Sequence, residues 1–300
     1  MDRKILITGG NGFIARSLYE DFSNSYFFPL ARSILAPTRE ELDLLDYKKV
    51  RDYIKKNDFD VVIHSATYDA VPSFSPKTPS KVLDTNLKMF FNIADCRNMF
   101  GKMIYFGSGA EVGRDSWIPN MDESYIEKQR PRDEYGRSKK IMNSYTKIAD
   151  NIYNFRLFGV FGKFDDWRYR FISNACCKAV LDMPITINKN SLFDYLYIDD
   201  LINVVKWAIH NNPSRKTYNT CSGKVYNYET LAKKVLEVSG KDLSIHIKDK
   251  DNIVEYSGNP ALLYSEATEL QYSRIDDSIT KLYGWYESNK HLIDPSHFEY

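Results

Sequence analysis

The sequence has 300 residues, of which 43% are hydrophobic and 27% are charged, and its formal net charge is +1. These values are typical of a folded globular chain, and the near-neutral charge argues against attraction of nucleic acid or an anionic membrane. No apolar run approaches the length of a membrane span, and the first residues, MDRKILITGG, lack the apolar segment of a signal peptide. We therefore expect a cytoplasmic protein that binds neither nucleic acid nor a membrane.

The cysteines and histidines predict no metal site. The four cysteines are an adjacent pair and two distant single residues, which fits neither a disulfide framework nor a paired-cysteine metal site. The five histidines show none of the spacings that place two of them on one face of a helix as metal ligands. We expect reduced thiols and no bound metal ion.

Strands and helices alternate in the first half of the chain. Apolar patterns predict strands at 4–9, 33–36, 60–66, 101–108 and 151–159, and helices at 13–22, 46–57, 80–99 and 135–149. Strands that alternate with helices form parallel units with helices on both faces of one sheet. Beyond residue 160 the predicted elements are helices at 168–181, 199–210 and 227–239 and short strands at 184–187 and 243–247.

This pattern predicts an α/β protein with two lobes. Residues 1–162 would form a doubly wound parallel sheet of the Rossmann type, which binds dinucleotides. Residues 163–300 would form a smaller α+β lobe that mainly binds substrate. Its helix 199–210 could pack back on the first lobe.

A glycine-rich turn, ITGGNGFIA, closes the first strand and opens the first helix. It satisfies G-x-G-x-x-A and also, at Gly9, Gly12 and Ala15, G-x-x-G-x-x-A. Glycines permit the tight turn and the close approach of the backbone to a pyrophosphate, which the helix N-terminus then stabilises. A plain turn between strand and helix is the alternative. We infer that Gly9, Gly12, Phe13 and Ile14 bind a dinucleotide.

The residues after the second strand indicate which dinucleotide binds. An acid there would hold the ribose 2′-hydroxyl of NAD, whereas an arginine would hold the 2′-phosphate of NADP. The segment ARSILAPTRE has no acid before Glu40 and offers Arg39 or, with another strand placement, Arg32. Unless both are solvated surface arginines, either can pair with a phosphate through two hydrogen bonds. We predict NADP(H).

The segment EYGRSKK, residues 134–140, places Tyr135 four positions before Lys139. On a helix both side chains lie on one face. An ammonium close to a phenol stabilises the phenolate and lowers the tyrosine pKa from about 10, which lets the phenol exchange a proton during catalysis. Because the chain has 22 Tyr and 41 Lys plus Arg, such a pair arises easily by chance, and taken alone it favours an ordinary surface helix.

Together with the glycine turn and with Ser108, this pair resembles the Ser-Tyr-Lys triad of the extended short-chain dehydrogenase/reductases, the NAD-dependent epimerase/dehydratase family. The segments GSGAEVG, RLFGVFG, FDYLYIDDL and ITKLYGWYESN extend the resemblance along the chain. APTREELDLLD and FDVVIHSAT are especially similar to GDP-fucose synthases and dTDP-4-dehydrorhamnose reductases. The resemblance implies that Tyr135 protonates a carbonyl oxygen and that Ser108 donates to the developing oxyanion. Lys139 would hold the nicotinamide ribose and lower the tyrosine pKa.

The same resemblance implies further cofactor contacts. Arg39 would meet the 2′-phosphate of NADPH, and Leu45 and Asp46 would enclose the adenine. Ala66 and Asn86 would form walls of the ribose and nicotinamide site. Two simpler roles stay open, because Asp46 could cap the following helix and Asn86 could be a hydrogen-bonded polar residue inside its helix.

Departures from the family pattern narrow the reaction. The 4,6-dehydratases carry two acids directly after the catalytic hydroxyl, where this chain has Gly109 and Ala110, so water elimination is not expected. GDP-fucose synthases use a cysteine in place of Ala110 and a histidine near the place of Arg170 for 3,5-epimerisation. A methyl group exchanges no proton and an arginine stays charged, so we expect no epimerisation. Glu111 is one residue out of register with the second of those acids.

The expected substrate contacts depart from the family as well. Gly159 and Phe193 replace an asparagine and an arginine that commonly serve the nucleotide diphosphate. Lys178 lies where relatives place a cation on this diphosphate and could compensate, although an ordinary surface lysine is the alternative. Tyr195 and Arg170 complete the expected substrate contacts.

The sequence thus predicts NADPH-dependent reduction of a 4-keto-6-deoxy sugar on a nucleoside diphosphate, a step of deoxysugar biosynthesis, without 3,5-epimerisation. One alternative is a nucleotide-sugar 4-epimerase with tightly bound NAD. The other is a dinucleotide-binding regulator without catalytic activity. The resemblance also implies a homodimer through the helices that hold Met89 and Met142.

Overall fold

The computed structural model describes residues 3–24, 31–70, 77–251 and 253–298. Its strands are β1 (Arg3–Thr8), β2 (Ala31–Leu35), β3 (Val61–His64), β4 (Lys102–Ser108), β5 (Ile152–Leu157), β6 (Gly159–Phe161), β7 (Ile185–Lys189), β8 (Leu192–Tyr197), β9 (Thr217–Thr220), β10 (Val225–Asn227), β11 (Ile245–Asp249) and β12 (Glu255–Tyr256). Its α-helices are α1 (Phe13–Asn24), α2 (Tyr47–Asn57), α3 (Val82–Ala94), α4 (Glu123–Lys128), α5 (Glu134–Thr146), α6 (Phe171–Val180), α7 (Ile198–His210), α8 (Tyr228–Ser239), α9 (Ala261–Glu266) and α10 (Ile275–Ser288).

A six-stranded parallel sheet with the order β2-β1-β3-β4-β5-β9 forms the centre of the molecule. Side chains alternate across it, so that Ile5 and Ile7 pack with α1 and α7 on one face while Leu6 packs with α2, α3 and α5 on the other. The predicted doubly wound parallel sheet is confirmed. The strand order reverses between β1 and β3, and ligands of such sheets bind at the carboxyl ends of the strands at this point.

The strand β9 is a part of this sheet that the sequence analysis missed. Its sequence, TYNT, lacks the apolar pattern of a buried strand, although all four residues are buried. Its polar side chains find partners instead, since the Thr217 hydroxyl donates to Asn143 Oδ1 at 2.6 Å and Asn219 Nδ2 donates to the Met121 carbonyl oxygen at 2.9 Å. Both β9 and α7, which packs on α1, return the chain to the first lobe. The division at residue 162 stays a prediction.

Most other predicted boundaries differ from the observed ones by a few residues. The predicted helix 80–99 is shorter, because α3 ends at Ala94 and 3₁₀ turns flank it on both sides. The predicted strands 184–187 and 243–247 correspond to β7 and β11, which pair in parallel. The sequence analysis did not predict the four-stranded sheet formed by β10, β8, β12 and β6, and this sheet supplies one wall of the cleft described below.

The helices α3 and α5, through which the family resemblance implied a dimer, pack against each other on one side of the sheet. Met142 faces the core and is 1% exposed, so it is not available to a partner subunit. The outer face of α5 carries Ile141, and the turn after it carries Ile148, with 40% and 78% exposure. The dimer stays a prediction. Among the described residues, no helix has both the length and the apolar character needed to cross a membrane.

Candidate active site

The carboxyl ends of the central strands open into a cleft of about 2020 Å³. Pockets for a single drug-sized ligand usually measure roughly 300–1,000 Å³, so this cleft has room for a dinucleotide and a second ligand. The sequence-predicted site residues that line it are Gly9, Gly12, Phe13, Ile14, Arg39, Leu45, Ala66, Ser108, Tyr135, Lys139, Gly159, Arg170 and Tyr195. Asp46, Asn86 and Lys178, which the sequence also suggested, lie outside the cleft lining.

The glycine turn brings three loops into backbone contact. Gly9 has a φ of +75°, which favours glycine, and a Cβ atom there would lie 2.8 Å from the Ala66 Cα atom. A Cβ atom at Gly10 would lie 2.3 Å from the Ala36 carbonyl oxygen. The Gly12 amide donates to the Gly9 carbonyl oxygen at 2.7 Å, and α1 begins directly afterwards. This cradle, which side chains would fill, fits a pyrophosphate on a helix N-terminus.

The residues around the predicted adenine and ribose site have mixed roles. Arg39 is exposed and lines the cleft, whereas the side chain of Arg32 lies outside the described part of the structure. Asp46 is the N-cap of α2, because its carboxylate accepts a hydrogen bond from the Lys49 amide at 3.1 Å. The cleft is lined instead by Asp43, which the sequence analysis did not single out and whose carboxylate accepts from the Leu45 amide at 3.0 Å.

Asn86 organises a loop rather than lining the cleft. It is 1% exposed, its Oδ1 atom accepts from the Tyr68 amide at 2.7 Å, and its Nδ2 atom donates to the Tyr68 carbonyl oxygen at 2.9 Å. These bonds hold the loop that follows β3. The same loop carries Ala66 and Asp69 into the cleft. No sequence pattern indicated Asp69, because a single acid in a loop follows no recognisable spacing.

Ser108, Tyr135 and Lys139 meet on one side of the cleft. Ser108 ends β4 and lines the cleft together with Tyr135 on α5, and its hydroxyl is near enough to the Tyr135 phenol to oppose the rise that burial causes in its pKa. Lys139 lies one turn later, with its Nζ atom 5.6 Å from the centre of the Tyr135 ring. The close approach of α5 depends on Gly136, where a Cβ atom would lie 2.4 Å from the Ala110 carbonyl oxygen.

Burial dominates the electrostatics of these groups. Burial raises the pKa of Tyr135 to about 12, assisted by Asp69 and opposed by the Ser108 hydrogen bond and by Arg170. Burial also lowers the pKa of Lys139 to about 8, against the effect of Glu111 and Asp69. The shift of the tyrosine is opposite to the one expected from its spacing to Lys139, because the loss of hydration outweighs the nearby ammonium.

Glu111, the first acid after Ser108, is turned away from the cleft. It is fully buried and forms an ion pair with Arg156, whose Nη2 and Nε atoms lie 2.8 Å and 3.1 Å from Glu111 Oε2. Its other oxygen accepts from the Ser108 amide at 3.4 Å. This carboxylate therefore supports the turn that holds the serine and is not exposed to a substrate.

The predicted diphosphate contacts are changed by the packing. Lys178 is 8% exposed, and its Nζ atom donates to Thr186 Oγ1 at 2.5 Å, away from the cleft. Gly159 leaves no room for the asparagine of the family, because a Cβ atom there would lie 2.7 Å from the Asp194 carbonyl oxygen. Arg170 does line the cleft, and its Nε atom lies 4.0 Å from Asp165 Oδ1.

Asp165 is a further acid in the cleft that the sequence analysis did not single out. It is 8% exposed, and burial raises its pKa to about 7, although Arg170 opposes this shift. Ser173 also donates to it, at 3.5 Å. The charge of this carboxyl, and with it the charge balance around Arg170, therefore changes close to neutral pH.

Aromatic rings form a further part of the cleft wall. Phe193, which replaces the arginine of the family, lies with its ring centre 5.3 Å from that of Tyr228 and 5.7 Å from that of Tyr256. The aromatic residues that line this part of the cleft are Trp117, Phe158, Phe171, Phe193, Tyr195, Tyr228 and Tyr256. Such rings provide an apolar surface for a ring-shaped ligand. They come from separate segments, so their sequence shows no spacing that would reveal the wall.

No group of three His, Cys, Asp or Glu side chains in the described ranges is arranged to hold a metal ion. All four cysteines are buried, and burial raises the pKa of the Cys176 thiol above its ordinary range. His64 is also buried, and its Nδ1 atom lies 2.9 Å from the Thr8 hydroxyl.

Comparison with known proteins agrees with this geometry. The family described as the NAD dependent epimerase/dehydratase family matches residues 5–221. The chain is 20% identical over 303 residues to the ADP-L-glycero-D-manno-heptose-6-epimerase of Nitratidesulfovibrio vulgaris (strain DP4), with 91% of each chain covered. It is 22% identical over 309 residues to the GDP-L-colitose synthase of Yersinia pseudotuberculosis, with 96% of this chain and 93% of the relative covered.

Solved structures share the same Rossmann-like fold. The GDP-L-fucose synthetase from Naegleria fowleri bound to NADP superposes with a TM-score of 0.85, at 16% sequence identity. The superposition covers 97% of this chain and 94% of that one. A likeness at this identity demonstrates the fold, and the resemblance that was drawn from the sequence motifs is confirmed at the level of the family.

Proposed function

The chain belongs to the NAD dependent epimerase/dehydratase family, and we propose that it is an NADPH-dependent ketoreductase that acts on a 4-keto-6-deoxy sugar carried by a nucleoside diphosphate. The observation that carries this proposal is the cluster of Ser108, Tyr135 and Lys139 on one side of the cleft. The absence of an acid at positions 109 and 110 distinguishes the cluster from that of a dehydratase.

The geometry of the glycine turn supports the binding of a dinucleotide in the cleft. Gly9 and Gly12 would admit the pyrophosphate, and Arg39 would hold the 2′-phosphate that distinguishes NADPH from NADH. When bound, NADPH supplies the hydride for the reduction. Lys139 lines the cleft next to Tyr135 and would donate to the hydroxyls of the nicotinamide ribose.

The chain's own part in the reaction is proton transfer and orientation. Tyr135 gives its proton to the carbonyl oxygen as hydride reaches the carbon, and its raised pKa of about 12 keeps the phenol protonated beforehand. Ser108 donates a hydrogen bond to the oxygen that becomes negative. The aromatic wall formed by Phe193 and its neighbours would hold the sugar ring against the triad.

Relatives of known activity support the substrate class. One is a GDP-L-colitose synthase and another an ADP-L-glycero-D-manno-heptose-6-epimerase, so both names refer to sugars on nucleotides. The proposed absence of 3,5-epimerisation rests on Ala110, which replaces the cysteine of the GDP-fucose synthases, and on the buried pairing of Glu111 with Arg156. We also propose that the enzyme is a cytoplasmic homodimer.

The test is the oxidation of NADPH by the purified protein with 4-keto-6-deoxy sugars on GDP, CDP, dTDP and UDP. The expected result is NADPH consumption with at least one of these substrates and none with the Tyr135→Phe variant. A chain that consumes no NADPH with any of them, but releases NAD on denaturation and interconverts 4-epimers, would be the 4-epimerase instead. Binding of NADPH without any turnover would identify a regulator.

A further inference from the structure

Tyr256 brings a second phenol to the catalytic serine. It lies on β12 in the second lobe and is 7% exposed. Its hydroxyl oxygen lies beside the backbone of Gly109, the residue that follows Ser108. Burial raises the pKa of both Tyr256 and Tyr135, and the nearby Ser108 hydroxyl opposes this rise for each phenol. Tyr256, Ser108 and Tyr135 all line the cleft. The reaction described above uses Ser108 and Tyr135 and gives no role to this third hydroxyl.

The ring of Tyr256 is held by its neighbours. Its centre lies 4.4 Å from that of Trp117 and 5.2 Å from that of Phe158, and its backbone pairs with Phe193 on β8. A Cβ atom at Gly109 would lie 2.4 Å from the Tyr256 hydroxyl oxygen. The phenol therefore occupies the space beside the backbone that a side chain at position 109 would need, and the glycine at this position admits it.

The hydrogen-bonding capacity of Ser108 limits how two phenols can share it. A serine hydroxyl has one proton to donate and two lone pairs that accept. The Ala110 amide donates to Ser108 Oγ at 3.1 Å and so uses one lone pair. One lone pair and one proton remain, so two phenols can share the serine only if one donates to it and the other accepts from it.

The role of Tyr135 decides which hydroxyl groups donate and which accept in the hydrogen bonds among Tyr256, Ser108 and Tyr135. During reduction its proton passes to the substrate oxygen, after which the phenolate oxygen can only accept hydrogen bonds. Ser108 must therefore donate towards Tyr135 and the substrate oxygen beside it. Its second lone pair is then free to accept from Tyr256, whose proton has no other assigned partner among the described residues.

We propose that Tyr256 is a positioning residue for the reduction: its hydroxyl donates to Ser108 and so holds the serine proton towards Tyr135 and the substrate carbonyl oxygen. This inference rests on the proposed ketoreduction. Among these three hydroxyl groups, only the O–H bond of Tyr135 breaks, and its proton forms the new O–H bond of the product alcohol. Ser108 and Tyr256 keep their protons and stabilise the phenolate by hydrogen bonding.

The first test removes the hydroxyl and keeps the ring. Tyr256→Phe should lower kcat about 10-fold and leave KM and NADPH affinity within about 2-fold, since the lost interaction acts in the transition state. In a Ser108→Ala background the same substitution should have no further effect, because Tyr256 acts through the serine. Unchanged kcat in the single variant, or losses that multiply in the double variant, would overturn the proposal.

Tyr125→Phe is the matched control. Tyr125 packs against the same aromatic cluster, but its hydroxyl donates to the Ser116 carbonyl oxygen at 2.7 Å and it does not line the cleft. It should keep the kcat of the unmodified protein. An equal loss in Tyr125→Phe and Tyr256→Phe would attribute the effect to packing and contradict a specific role of Tyr256.

A second test does not depend on turnover. Tyrosines labelled with ¹³C at the ring carbon that bears the hydroxyl give NMR signals, and each Phe variant assigns its own signal. Ser108→Ala should shift the signals of both Tyr135 and Tyr256 and leave that of Tyr125 unchanged. An unshifted Tyr256 signal would overturn the hydroxyl chain. If Ser108→Ala shifts both signals but the protein reduces no 4-keto sugar, the proposed reduction and the positioning role are both refuted. The hydrogen bonding among the three hydroxyl groups would still be supported.

Discussion

The ammonium of Lys139 lies 5.6 Å from the centre of the Tyr135 ring, and it donates to the carbonyl oxygen of Phe106 at 2.8 Å. It therefore does not bond to the phenol whose pKa it was expected to lower. The pKa of Tyr135, raised to about 12 by burial, keeps the phenol protonated at neutral pH. A protonated phenol is the form that a reduction needs, because the tyrosine must give a proton to the new alcohol.

Replacing the proton donor should abolish most of the activity. We expect Tyr135→Phe to lose at least about 10²-fold in kcat, the usual scale for a positioned acid, with little change in NADPH affinity. Steady-state kinetics with a 4-keto sugar nucleotide and a fluorescence titration of NADPH measure the two effects. Near-normal turnover in this variant would rule out the proposed mechanism.

Lys139 should affect two steps. In Lys139→Met both turnover and NADPH affinity should fall, because the ammonium holds the ribose and also contributes to the electrostatics around Tyr135. The same two measurements separate the effects, and Tyr135→Phe serves as the comparison in which affinity is kept. If Lys139→Met binds NADPH as tightly as the unmodified protein, the lysine has no role in holding the ribose.

Cofactor choice should depend on Arg39. The guanidinium is exposed beside the cleft, and only NADPH offers it a 2′-phosphate. Arg39→Ala should weaken NADPH binding far more than NADH binding, as measured by the dissociation constants of both cofactors. Equal weakening would show that Arg39 is structural, and Arg32 would become the next residue to test.

The reaction should leave the carbons next to the ketone unchanged. Epimerisation there requires a base to remove a carbon-bound proton and an acid to return one, but Ala110 can do neither and Glu111 is paired with Arg156 in the core. Turnover in D₂O with unlabelled NADPH should give a product with no enzyme-dependent deuterium at C3 or C5 by NMR, relative to a control without enzyme. Stoichiometric deuterium at either carbon would reveal an epimerase activity, with Tyr195 and Asp165 as the first residues to examine.

Acid should destabilise the fold in part through His64. Burial, followed by the charge of Lys139, lowers the pKa of His64 from 6.5 to about 3. The unfolded chain then binds a proton that the folded chain does not, so stability falls as the pH drops from 6.5 towards 3. The slope from this single group is about 1.4 kcal/mol per pH unit.

Urea unfolding at several pH values in this window tests the prediction. His64→Asn should show a shallower loss of stability with acid than the unmodified protein, while His246→Asn, which alters an exposed histidine on β11, should not. Equal slopes in all three proteins would mean that His64 contributes nothing to the acid sensitivity.

Several features of the site were visible in the sequence because they depend on neighbouring residues. The turn at Gly9 and Gly12 follows from backbone freedom between a strand and a helix, and the shared face of Tyr135 and Lys139 follows from helix geometry. By contrast, the family resemblance placed Lys178 at a diphosphate, whereas in the structure its Nζ atom donates to Thr186. The direction of a side chain depends on what surrounds it.

The sequence by itself determined the alternating α/β order and predicted the dinucleotide turn and the triad, since each depends on residues close together along the chain. Only the tertiary structure decided which groups meet across long distances. It placed the Tyr256 hydroxyl beside Gly109, next to Ser108, paired Glu111 with Arg156, and brought Asp165 into the cleft. The hydrogen-bond partners, the burial and the pKa values of these residues arise from contacts between elements far apart in the chain. A linear pattern of residue types does not encode such contacts.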